Sequence, residues 1–65
     1  MKIVLNGKET ETESVTLLQI IRAFRFKPER VVAELNGQIV DKKDYNETRL
    51  NDNDKLELVQ FVGGG

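Results

Sequence analysis

Apolar positions along the chain change period at Thr16. Ile3-Val4-Leu5 is a short apolar run closed by Asn6-Gly7. Asn and Gly best tolerate the positive φ needed at both central positions of a type I′ turn, so the pair predicts a two-residue hairpin. Residues 8–13 (KETETE) alternate charge with threonine, as a solvated edge strand does. After Thr16 the repeat becomes helical: Leu17, Ile20, Ile21 and Phe24 fall at i, i+3, i+4 and i+7 on one stripe. Thr16 and Gln19 have the spacing of a capping box, each side chain serving a free backbone N–H of the first turn. Val15, just before the cap, is placed to staple onto Ile20. Arg22 and Arg25 suit the negative end of the helix dipole, and Pro28 blocks continuation. These signals predict one helix over residues 17–26.

Val31-Val32-Ala33-Glu34-Leu35 returns to the strand pattern, Asn36-Gly37 repeats the hairpin signal, and Gln38-Ile39-Val40 is a short return strand. Residues 41–54 form a polar loop anchored by Tyr45 and Leu50, with a helical turn around Lys43 to Tyr45. Asn51-Asp52-Asn53-Asp54 has turn composition, and residues 55–62 (KLELVQFV) form the last strand. Two hairpins can bury one helix only by joining into one sheet. The most apolar strands, the first and the last, then belong at its centre as a parallel pair. The pattern predicts an α+β, β-grasp (ubiquitin-like) fold, a mixed sheet of about five strands with one main helix packed across one face. Alternation points Ile3, Leu5, Val31, Ala33, Leu35, Leu56 and Leu58 at the helix stripe. Each large side chain fully buried there contributes about 1.5–3 kcal/mol.

The same alternation leaves Val4, Val32, Val59 and Phe61 on the opposite face. A contiguous apolar cluster on an open sheet face marks a docking surface. The competing reading packs Val59 or Phe61 beneath the long loop. Composition narrows the chemistry. At 65 residues the chain has room for one core, expected over residues 1–62. It contains neither Cys nor His, which removes thiolate metal sites, disulfides and the His-based nucleophile arrangements together. Ten basic against eleven acidic residues give a net charge of −1, which draws the chain toward no nucleic acid. No apolar run is long enough to cross a membrane, and Met1-Lys2 leads straight into a strand pattern rather than a signal peptide. The expectation is a cytoplasmic protein, monomeric on its own and not an enzyme.

The chain closes on Phe61-Val62-Gly63-Gly64-Gly65. Glycine adopts extended and left-handed conformations freely and lets another backbone approach closely. Three extended residues reach about 10 Å, enough to carry a terminal carboxylate into a narrow cleft. Residues 63–65 are thus expected to be a flexible, reactive tail, against the plainer alternative of a frayed terminus.

Asn6-Gly7 after the first strand, Thr16 capping an apolar helix, Leu35-Asn36-Gly37-Gln38-Ile39-Val40 and Phe61-Val62-Gly63-Gly64-Gly65 together resemble the ThiS family, the sulfur carriers of thiamin (thiazole) biosynthesis. The resemblance runs the full length. The terminal double glycine is shared with the MoaD carriers of molybdenum-cofactor synthesis and with ubiquitin-like modifiers. Length and the Asn-Gly-Gln-Ile-Val hairpin favour ThiS. Pro28 and Lys42-Lys43-Asp44 do not separate these relatives.

The resemblance implies that sulfur travels as a thiocarboxylate on Gly65, with Gly64 and Gly63 keeping the approach narrow. It implies three partners: a ThiF-type adenylyltransferase, a sulfur donor of the cysteine-desulfurase pathway, and the thiazole synthase ThiG. ATP and Mg²⁺ belong to the adenylating partner, and the chain itself binds no cofactor. Phe61, Val59, Val4 and Val32 provide the docking surface. Three rival classes remain: a MoaD-like or tRNA-thiolation carrier, a noncovalent ubiquitin-like module, and a self-contained enzyme. For the last, Glu9, Glu11 and Glu13 read better as a solvated strand face. Asp52-Asn53-Asp54 lacks EF-hand spacing and reads better as a turn than as a Ca²⁺ loop. Lys42 and Lys43 are too few for an RNA footprint.

Overall fold

The two Asn-Gly pairs set four of the strands. In the computed structural model, which describes residues 1–62, β1 (Lys2–Leu5) and β2 (Lys8–Glu11) pair antiparallel around Asn6-Gly7. Around Asn36-Gly37, β3 (Val31–Leu35) pairs antiparallel with β4 (Gln38–Val40). Asn6 and Asn36 have φ of 49° and 51°, and Gly7 and Gly37 have 80° and 87°. A Cβ added at either glycine would meet nothing within 4 Å, so positive φ rather than crowding is what calls for glycine here.

The last strand, β5 (Lys55–Gln60), lies between the hairpins, parallel to β1 and antiparallel to β3, in the order β2-β1-β5-β3-β4. This is the predicted mixed sheet with the first and last strands adjacent. Phe61 lies just beyond β5, although the pattern extends the strand to 62; its N–H still donates to Arg30 O at 2.9 Å. Ile3, Leu5, Val31, Ala33, Leu56 and Leu58 are buried with Leu17, Ile20 and Ile21 of the helix in one cluster. Leu35 is partly buried against it.

The helix α1 (Leu17–Ala23) ends three residues earlier than the stripe predicts. Arg25 takes φ 66°. Its N–H donates to Arg22 O, and that of Phe26 to Ile21 O, both at 3.0 Å. These two bonds are the Schellman closure, normally built on glycine at the left-handed position. The reversal carries Phe24 away, 41% exposed, and packs Phe26 against the core in its place. Val15 is also exposed instead of closing a buried staple; what ties it to the helix is its N–H, which donates to Gln19 Oε1 at 2.6 Å.

The capping box forms as predicted: Gln19 N–H donates to Thr16 Oγ1 and Thr16 N–H to Gln19 Oε1, each at 3.2 Å. The long loop completes the cap. Leu17 N–H donates to Thr48 O at 2.8 Å and Leu18 N–H to Tyr45 O at 2.9 Å, satisfying first-turn donors that no helix can satisfy internally. Tyr45 and Leu50 are buried anchors, as predicted, and the helical turn of the loop covers Lys42–Asp44. The Tyr45 hydroxyl donates to Val31 O at 2.8 Å. Burial pushes its phenol above the ordinary 10.0; a backbone hydrogen bond from Ala33 opposes that rise and the Asp41 charge adds to it.

Candidate functional site: the outer sheet face and the root of the tail

Leu56 and Leu58 point inward, so strand alternation turns Lys55, Glu57 and Val59 outward. Val32 of β3 stands directly opposite Val59. Antiparallel partners on one face lie close enough for their side chains to interact. Phe61 continues the outward parity of Val59, and it is 62% exposed against 56% for Val59. These two side chains are therefore on the open face and not beneath the loop. Val62 is 80% exposed.

Val4 is also outward, between buried Ile3 and Leu5, but it pairs with Lys55 on one side and Glu9 on the other. Lys55 lies four residues along β5 from Val59, about 13 Å at strand rise. The face therefore brings Val32, Val59 and Phe61 together, while Val4 sits in charged surroundings at the far end. Ile39, 72% exposed, joins the apolar group from β4. It pairs with Glu34 and shares with Val32, Lys42 and Tyr45 the wall of an open groove of about 310 Å³. A two-residue Asn36-Gly37 turn already implies the Glu34–Ile39 pairing, so the signal for Ile39 was present in the sequence.

The root of the tail is held by one backbone bond and one side-chain bond. Besides the Phe61–Arg30 bond, Gln60 Oε1 accepts from Lys27 N–H at 2.7 Å. Gly63, Gly64 and Gly65 lie outside the described residues. Four of the carboxylates that competed for a chemical role, Glu9, Glu11, Asp52 and Asp54, have structural partners. Glu9 faces Lys2 Nζ at 3.8 Å and Glu11 the N-terminal ammonium at 3.8 Å, both well exposed. Asp52 Oδ1 accepts from Lys2 N–H at 2.8 Å. Both oxygens of buried Asp54 accept, from Asn36 Nδ2 at 3.0 Å and Asn51 N–H at 2.7 Å. Turn chemistry thus accounts for Asp52 and Asp54. Among the described residues, no group of three His, Cys, Asp or Glu is placed to hold a metal ion.

One helix on one face of a β2-β1-β5-β3-β4 sheet, with an apolar strip on the other face running to the end of the last strand, defines a ubiquitin-like β-grasp protein. The ThiS family model matches residues 3–65, and the chain belongs to the ThiS family. The sulfur carrier protein ThiS of Bacillus subtilis is 35% identical over 63 residues, covering 94% of this chain and 96% of that protein. A thiazole synthase of Paramagnetospirillum magneticum is 39% identical over 66 residues; the match takes in all of this chain, which spans only 20% of that protein's length. The crystal structure of the thiamine biosynthesis protein ThiS from Geobacter metallireducens superposes with a TM-score of 0.83 at 28% identity, covering 100% of both chains. No described helix is long and apolar enough to cross a membrane.

Proposed function

We propose that this chain is a sulfur carrier protein of thiamin thiazole biosynthesis, a co-substrate that partner enzymes act on. The observation that carries the reading is the near end-to-end match to the Bacillus carrier. It is supported by an outer face whose apolar strip ends at Phe61, directly before the glycines. The reacting group is the Gly65 carboxylate. A free α-carboxyl group is ionised at neutral pH and is a poor electrophile. A ThiF-type partner with ATP and Mg²⁺ converts one carboxylate oxygen into a leaving group, forming the acyl-adenylate and releasing pyrophosphate. A persulfide from a cysteine-desulfurase pathway displaces AMP to give an acyl disulfide, and a thiol reductant cleaves its S–S bond to leave the thiocarboxylate. Gly63 and Gly64 have no Cβ to obstruct a partner closing around that group.

Val32, Val59, Phe61 and Ile39 form the docking surface in this scheme, with Val4 at its charged margin. Delivery to a ThiG-type synthase draws support from thiazole synthases that contain a segment similar to the whole of this chain. The test is single-turnover transfer. Thiocarboxylate-loaded chain mixed with a ThiG-type synthase and its small-molecule substrates should lose sulfur, by intact mass, as thiazole product appears. Sulfur retained there but released to a molybdopterin-synthase subunit would refute the thiazole assignment.

A further inference from the structure

Both Asn-Gly turns do more than reverse the chain. Asn6 Oδ1 accepts from Leu58 N–H at 2.7 Å and its Nδ2 donates to Leu58 O at 3.2 Å, so the carboxamide pairs with β5 as another peptide unit would. Asn36 Oδ1 accepts from Lys55 N–H at 2.9 Å and its Nδ2 donates to Asp54 Oδ1 at 3.0 Å. The strand that leads to the tail is therefore gripped at its start and at its middle by the two side chains that precede glycine.

Asparagine followed by glycine is also the dipeptide most open to attack by the main chain on the side chain, because glycine offers no Cβ to hinder its own nitrogen. We propose that Asn6-Gly7 and Asn36-Gly37 are deamidation sites gated by β5. With the strand engaged, each carboxamide is held in two hydrogen bonds to other groups, which restrict its rotation toward the following nitrogen. Reaction requires the grip to open. The Gly7 nitrogen then loses its proton and attacks Asn6 Cγ; the Cγ–Nδ2 bond breaks, ammonia leaves, and a five-membered succinimide closes. Water opens the ring at one of its two carbonyls to give aspartate or isoaspartate, with no change of oxidation state. Asn36 and Gly37 react in the same way.

The products do not restore the grip. A carboxylate at position 6 has no donor for Leu58 O. A carboxylate at position 36 faces that of Asp54 across the 3.0 Å now spanned by a hydrogen bond, and two like charges at that range repel. Isoaspartate adds a main-chain methylene to a two-residue turn and disturbs the register that the turn sets. The modification is thus a one-way loosening of β5. Its effect on sulfur delivery rests on the function proposed above; the deamidation itself does not.

The full chain is incubated at mildly alkaline pH with and without denaturant, and aspartate and isoaspartate are mapped by peptide mass and by isoaspartyl methyltransferase labelling. A short peptide bearing each Asn-Gly provides the ungated rate. The denatured chain should convert at the peptide rate, and the native chain more slowly by about tenfold or more, a factor of the size expected from holding two hydrogen bonds closed. Leu58→Ala, which weakens the packing of β5, should accelerate conversion at both sites, and most if the variant is unfolded. Native conversion at the peptide rate would overturn the proposal. So would a Leu58→Ala chain that deamidates no faster than its parent.

Discussion

Arg25 holds a left-handed backbone conformation, φ 66°, that costs an ordinary L-residue about 1–2 kcal/mol. Arg25→Gly removes that cost but adds chain entropy to the unfolded state. The net expectation is a gain of up to about 1 kcal/mol, seen as a melting temperature higher by roughly 4–8 °C per kcal/mol. Nothing in the composition of Ala23-Phe24-Arg25-Phe26 announces this reversal, because the residue at the turn is not glycine. Tyr45 is the other informative single residue. It is the only tyrosine and there is no tryptophan, so its absorbance titrates without interference. Its folded pKa lies above the unfolded value of 10.0. The neutral phenol therefore contributes stability that is complete below pH 10 and is lost as pH rises through the folded pKa. Tyr45→Phe should cost about 1 kcal/mol at neutral pH by leaving Val31 O without its donor. The gap between the two proteins should then narrow above pH 10, as followed by denaturant melts across the range.

At the scale of elements, periodicity identified the helix but not its end. Leu17, Ile20 and Ile21 are buried as the stripe requires. Phe24 continues that stripe only if the helix continues, and the Schellman closure places Phe26 in the core instead. Phe26→Ala should accordingly cost about 1–3 kcal/mol, while Phe24→Ala should stay within about 0.5 kcal/mol, the range of an exposed site. Equal losses in a thermal melt would contradict the observed helix end. Strand alternation was more legible, since Asn-Gly sets both the turn and the pairing beyond it. It assigned Val32, Val59 and Phe61 to the outer face correctly. The same rule also places Ile39 there, opposite Glu34. Ile39→Ala and Phe61→Ala should each weaken adenylation by raising the KM for the carrier, with melting temperatures unchanged. A large loss of thermal stability in either would show a core residue.

For the whole molecule, the apolar character of the first and last strands was enough to place them side by side at the centre of the sheet. What could not be read was the use of the polar loop. Its carbonyls at Tyr45 and Thr48 serve the helix N-terminus through contacts distant in sequence, which no local pattern encodes. The proposed chemistry rests on a different kind of signal: the absence of Cys and His removes thiol and imidazole chemistry, and membership of the ThiS family is what directs the proposal to the Gly65 carboxylate. The claim that this carboxylate is the working group is tested most directly by intact mass after incubation with ATP, Mg²⁺, a sulfur source and a ThiF-type partner. The chain should gain one adenylyl group and then exchange one oxygen for sulfur, with both changes mapping to Gly65. A chain lacking Gly65 should melt as the parent does and show neither product. Adenylation of that shortened chain, or a modification mapping anywhere other than Gly65, would contradict the account.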